Sequence, residues 1–424
     1  MTMDYLSAKR AFTETTSALA SGEKFEALSV NLREGFTAYQ SAPTIFGWHF
    51  VANIPALLIT VAITYLVYIG IKESKNTNNI LVILKLLVIM IVVGVGAFYV
   101  QVENWTPFAP NGISGVLKSV AAVCFAYIGF DSISTTAEEC KNPQRDIPKA
   151  MMYALIICTV LYVLVTLVLT GIVPSENLAG IEDPLAYMFM QVGLNGVAGI
   201  VAASAVIALT SALLVYQLGQ PRIWMTMSRD GLLPKAFSRI HPKYRTPSFS
   251  TIMTGVLVGV PALFANLEEV INLSSIGTLF AFVLVCGGVL VLDLDPENQK
   301  KSKFKIPYIN SSYYVGISMI VVLGLISYSG VNLGDWLQGL YTGEAKADHF
   351  IMFGFFAIWA IIAFFSVTKK LSLIPVLGLL VNLYLMTQMG STNWERFMYW
   401  CLAGVLIYFG YSYRKSKLNV KHSN

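Results

Sequence analysis

The chain alternates between long apolar runs and short polar ones. Runs long enough to cross a bilayer fall near residues 50–71, 79–100, 116–135, 150–173, 195–217, 249–265, 270–292, 313–330, 349–368, 372–389 and 396–413. A hydrocarbon core ~30 Å thick takes about 20 helical residues to cross. The pattern therefore predicts an all-α polytopic membrane protein with about eleven transmembrane helices, in a membrane region covering 45–415. Residues 1–44 differ: they are polar and roughly helical in pattern, and a short tail, 416–424, closes the chain.

Composition agrees with the pattern. The 424 residues are 55% hydrophobic and only 12% charged, against about 25% charged in soluble domains. The net charge of +5 does not point to nucleic acid, because the basic residues gather in alternate short loops. One set of loops holds Lys72 and Lys75; Lys141, Arg145 and Lys149; Arg222 to Arg245; Lys300 to Lys305; Lys369 and Lys370; and Arg414 to Lys421. The other set, QVENWTPFAPNG, PSENLAGIEDP, NLEE, the 331–348 loop and GSTNWER, is poor in Lys and Arg. The positive-inside rule makes the first set cytoplasmic. An odd number of spans then puts the N-terminus outside and the C-terminus inside.

The five cysteines are scattered, and the four histidines lie far apart. Neither set has zinc-ligand or disulfide-framework spacing, so the thiols read as buried and no metal or cofactor is expected. No phosphate loop or Ser/His/Asp arrangement suggests an enzyme. Gly255 and Gly259 form a GxxxG on one span, which is either a close packing face or a coincidence. Asn104-Trp105-Thr106 is formally a glycosylation sequon.

Three positions carry chemistry. Asp131 lies about fifteen residues beyond Val116, or ~22 Å into the ~30 Å core. An ionised group there costs roughly 2.5–3.5 kcal/mol on insertion scales, and such groups usually line a transport path. Its neighbourhood, Phe125-Ala126-Tyr127-Ile128-Gly129-Phe130-Asp131-Ser132, is suited to breaking a helix. Gly129 permits non-helical backbone, and Ser132, Ser134, Thr135 and Thr136 can satisfy freed backbone groups. A break would offer half-helix ends to a zwitterion. The alternative is a continuous helix with Asp131 neutral or hydrogen-bonded. Lys85, in NNILVILKLLVIMIVVGVGAF, lies about six residues, ~9 Å, inside its span. It either snorkels to the interface or exchanges a proton, because desolvation disfavours its charged form. Thr210 and Ser211 form a hydroxyl pair in VIALTSALLVYQLGQ, read as helix packing or as part of a site. The charged segments Glu138 to Pro148 and Gln220 to Pro234 are gate ion pairs or solvated loops.

Together, FAYIGFDSISTTAEECKNPQRDIPKA, LVLTGIVP, SRDGLLPKAFSRIHPKYRTP, INLSSIGTLFAFVLVCGGVLVL, LVNLYLMTQM and WCLAGVLIYFGY resemble the amino acid–polyamine–organocation superfamily. The resemblance is closest to its cationic amino acid transporter branch, as a bacterial-type amino acid permease. It implies the LeuT-type inverted-repeat transporter fold, in which the first and sixth helices are broken around the substrate. The span of Asp131 resembles the sixth. Phe125, Ala126, Ile128 and Gly129 then match the unwound substrate-contacting run, with Phe125 as an aromatic gate, and Asp131 matches the position that reads the substrate side chain. The span of Lys85 resembles the fifth, where a lysine takes the place of a sodium ion. Thr210 and Ser211 match the eighth-helix side of that site.

The implied function is secondary active transport of amino acids across the plasma membrane, sodium-independent and either proton-coupled or exchanging. The partners are the amino acid and the lipid bilayer, with Asp131 tilting the substrate toward cationic or broad. Counted against the family, the 50–71 span matches the fourth helix, and residues 1–44 match the extracellular loop after the third. The resemblance thus implies an N-terminally truncated fold, and a non-transporting fragment is the alternative reading of the chain by itself.

Overall fold

Each of the eleven apolar runs carries a helix in the computed structural model of the chain. The structure describes residues 5–21, 25, 28, 30–42, 44–45, 48–49, 53–70, 75–110, 112–130, 133–134, 140–178, 181, 183–264, 267–294, 307–328 and 347–417. Two polar helices come first, α1 (Tyr5–Ala20) and α2 (Val30–Gln40), then a two-residue ribbon of β1 (Thr44–Ile45) and β2 (Trp48–His49). The apolar helices follow. They are α3 (Ile54–Ile69), α4 (Lys75–Gly96), α5 (Gly112–Tyr127), α6 (Pro143–Ile172), a short α7 (Pro184–Gln191), α8 (Asn195–Arg229), α9 (Ser248–Phe264), α10 (Leu267–Asp293), α11 (Ser312–Tyr328), α12 (Ala347–Lys369), α13 (Leu373–Thr387) and α14 (Ser391–Ile407). A π-helical turn at Tyr408–Ser412 and a single turn at Tyr413–Lys415 end the described chain.

Among the described residues, five segments are long and apolar enough to cross a bilayer: residues 79–99, which join α4 to the 3-10 turn after it, α6, α8, 270–293 of α10 and 349–369 of α12. The segments Leu373–Thr387 and Ser391–Lys415 make a sixth if taken as one span, bent by 114°. α3 and α9 are apolar but have 16 and 17 residues, slightly under the usual crossing length of about 20. The faces turned outward are apolar: Leu58 and Val61 on α3, Ile83 and Leu87 on α4, Ile156 and Val160 on α6 are all exposed. In water such surface is a liability, whereas lipid chains solvate it.

Local chemistry sets the helix ends. Asn53 caps α3 by accepting from the Ala56 N–H at 3.1 Å, with Pro55 in the first turn, and Gly70 at φ 75 closes it by donating to the Leu66 and Val67 carbonyls. Such a left-handed terminal residue favours glycine. α7, too short to register as an apolar run, is capped by Asp183, whose carboxylate accepts from the Ala186 N–H. It inserts Met188 and Phe189, both fully buried, beside Val92, Val168 and Val201.

The chain divides into two compact units. The first holds residues 1–110, 156–267 and 405–424. In it, α3 packs closely along α9 because Gly255 and Gly259 face α3: a Cβ on Gly255 would come within 2.5 Å of Thr64 Cγ2, and one on Gly259 within 3.2 Å of Leu57 Cδ1. The GxxxG is thus a close packing face. α8 is 35 residues long, or ~52 Å, and continues past the predicted span end at 217 through the basic segment to Arg229. The following loop folds back onto helix ends: Ser228 Oγ donates to the Pro234 carbonyl, Ser250 Oγ to that of Phe237, and Thr246 Oγ1 to that of Tyr68. Ser412 Oγ donates to the Leu232 carbonyl at 2.6 Å. Asn104, the sequon asparagine, donates to the Gly171 carbonyl at 2.8 Å and so ties the loop after α4 to the end of α6.

The second unit holds residues 111–155 and 268–404. One core gathers Ile276, Leu279, Leu385, Met386 and Phe397, with Cys124 of α5 against it. Another gathers Leu290, Val315, Phe355, Trp359 and Val376. The start of α11 is laced to the α12–α13 turn: Ser311 Oγ donates to the Leu371 carbonyl and Ser312 Oγ to that of Ser366.

Candidate functional site

In the first unit, α4 and α8 bring two of the predicted residues together. Lys85, half-buried on α4, donates from Nζ to Ser211 Oγ on α8 at 3.0 Å. Ser211 lies six residues before Gln217, the predicted inner end of its span, a distance of ~9 Å along the helix. Lys85 lies as deep in α4, so both elements carry the contact at the same level in the apolar region. The hydroxyl satisfies one of three ammonium donors.

Thr210 does not join them. Its Oγ1 donates to the Val206 carbonyl one turn back at 2.8 Å, on an exposed face. Adjacent helical residues diverge by about 100°, so when Ser211 faces α4 its neighbour faces elsewhere.

A second polar contact holds α8 to α3. Gln217, only 2% exposed, donates from Nε2 to Thr64 Oγ1 at 2.9 Å, and the Thr64 hydroxyl donates to the Thr60 carbonyl at 2.7 Å. Gly255 leaves the room that Thr64 occupies. This trio is absent from the predicted site residues. Its signals were a lone amide in an apolar run and the glycine pair, which point to each other only once α3, α8 and α9 are packed.

In the second unit, the helix carrying the remaining predictions stops inside its apolar run. α5 ends at Tyr127, and Gly129 has φ 121, a backbone conformation that favours glycine. Phe125 and Ala126 thus lie in the last turn of α5, and Ile128 and Gly129 in the turn that leaves it. Phe130 packs on Phe282 of α10, ring centroids 5.5 Å apart, which anchors the departing chain. Asp131, Ser132, Thr135 and Thr136 lie outside the described residues.

The charged segments divide between helix and loop. Arg145 and Asp146 are exposed in the first turn of α6, where both backbone N–H groups donate to the Asn142 carbonyl. Asp230 is exposed, and its carbonyl accepts from the Lys417 N–H at 3.1 Å. Among the described residues no group of three His, Cys, Asp or Glu could hold a metal ion.

Helices that need lipid on their outer faces, and that join through polar groups between helices, define a polytopic membrane protein. The pattern of the family described as amino acid permease matches residues 33–409. The chain is 36% identical to the branched-chain amino acid permease BcaP of Bacillus subtilis (strain 168), over 392 residues that cover 92% of this chain and 70% of that protein. It is 33% identical to a methylthioribose transporter of the same organism, covering 87% of this chain and 66% of that protein. It is 31% identical to the vacuolar cationic amino acid transporter 4 of Arabidopsis thaliana, covering 96% and 78%. The chain belongs to the amino acid permease family. It is a multi-pass membrane transporter polypeptide rather than an enzyme.

Proposed function

We propose that the protein is a sodium-independent secondary transporter of amino acids in the plasma membrane, with its C-terminus cytoplasmic. The substrate binds where α5 breaks. Phe125, Ala126, Ile128 and Gly129 supply the contacts at the unwound turn, and Asp131 reads the side chain. The observation that carries this reading is the end of α5 at Tyr127 with Gly129 at φ 121. A helix that stops within an apolar run presents polar backbone at a depth where lipid offers no partner, which is tolerated where protein or a cavity covers it.

Lys85 and Ser211 form the coupling site. An ammonium held 3.0 Å from a hydroxyl within the apolar region supplies a fixed cation without bound sodium. We assign proton coupling to this pair. Exchange without net proton movement is compatible with the same pair.

The negative charge of Asp131 favours cationic or broad selectivity. The similarity to a branched-chain permease favours neutral, branched substrates. Uptake of labelled arginine and labelled leucine separates the two, measured in vesicles from cells expressing the gene. Asp131→Asn is expected to lose arginine uptake while retaining leucine uptake. Unchanged uptake of both would remove Asp131 from the site.

A further inference from the structure

We propose that Gln217 is a positioning residue for the Lys85–Ser211 pair: its buried amide fixes the rotation of α8 about its own axis. The inference rests on the coupling role given to that pair above.

α8 is held on two sides by two hydrogen bonds of different kinds. Ser211 meets Lys85 of α4, and Gln217 meets Thr64 of α3. Six residues apart, the two side chains leave the helix about 120° from each other. Neither bond alone sets the azimuth of α8, but the two together do.

The Gln217 contact is the more rigid. The residue is 2% exposed, so its amide has little water to fall back on, and an unpaired buried amide is unfavourable. Its acceptor is also fixed. The Thr64 hydroxyl proton is committed to the Thr60 carbonyl at 2.7 Å, which leaves the oxygen free only to accept. The Thr64 side chain already fills the space that Gly255 leaves on α9, where an added Cβ would meet its Oγ1 at 2.7 Å. Turning Ser211 away from Lys85 therefore breaks a buried amide bond on the other side of α8.

The test uses cysteines at positions 85 and 211 in the full chain with the native cysteines removed. The rate at which a short bifunctional thiol reagent joins them in membranes is then measured. Gln217→Leu is expected to slow cross-linking several-fold. Thr64→Val, which keeps volume and removes the acceptor, should slow it equally, and the double variant no further. An unchanged rate in either single variant, with protein inserted at wild-type levels, overturns the proposal. A second readout uses the protein with Lys85 in place: Gln217→Leu should move the pH midpoint of uptake, whereas an equal loss at every pH marks a merely structural role and overturns it too. Lys85→Ala keeps the two ideas separable. If it leaves the pH profile unchanged the coupling role fails, while the cross-linking rate still judges Gln217.

Discussion

A lysine in an apolar helix has two places to put its ammonium: out to the interface along its own flexible stem, or against a partner within the protein. Lys85 takes the second, on Ser211. The consequences are specific to single residues. Lys85→Ala should flatten the pH dependence of uptake in vesicles with an imposed pH gradient, and an unaltered profile would favour an interfacial role. A hydrogen bond to a charged group contributes roughly 1.5–3 kcal/mol, so Ser211→Ala should lower uptake by roughly ten- to a hundredfold where the bond is made in the rate-limiting state and not in the resting one. Thr210→Val should leave uptake within about twofold of wild type, because that hydroxyl serves its own helix. Equal losses at 210 and 211 would show that both hydroxyls reach the site.

At the scale of elements, the glycine face of α9 decides how closely α3 can approach. Gly255→Leu would drive a branched side chain into Thr64. Overpacking of this kind costs typically about 1–3 kcal/mol, and here it also pushes Thr64 off Gln217. Thermal unfolding in detergent should show a clear drop in midpoint, and a midpoint equal to wild type would mean α9 shifts freely. The apolar pattern made the long helices legible, as well as the Gly129 break, since both follow from local sequence. The Lys85–Ser211 pair was legible only through the family resemblance. Nothing local links positions 126 residues apart. Three features were hidden for physical reasons. α7 is too short to make an apolar run and owes its place to the Asp183 cap and the burial of Phe189. The extension of α8 through Pro221 to Arg229 follows a sequence that reads as a loop because of its proline and charges. Gln217 looks like the polar end of a span until α3 covers it.

At the scale of the whole molecule, the outward apolar faces and the alternating loop charges act together. The first require lipid, and the second choose the direction of insertion. A reporter fused after residue 424 should be protected from external protease in intact cells, and cleavage there would invert the topology. Within the first unit, the basic loop after α8 and the C-terminal turn hold each other through Ser412 and Lys417. Family membership makes the chain a transporter; the broken end of α5 and the half-buried Lys85 are the substrate site and coupling group we propose for it. The most direct check is uptake of labelled amino acid without sodium, with an inward pH gradient and a panel of unlabelled competitors. Saturable uptake that persists without sodium, is competed by amino acids and loses its pH dependence in Lys85→Ala is the expected result. Uptake that requires sodium, or that no amino acid competes, would contradict both the coupling site and the substrate class.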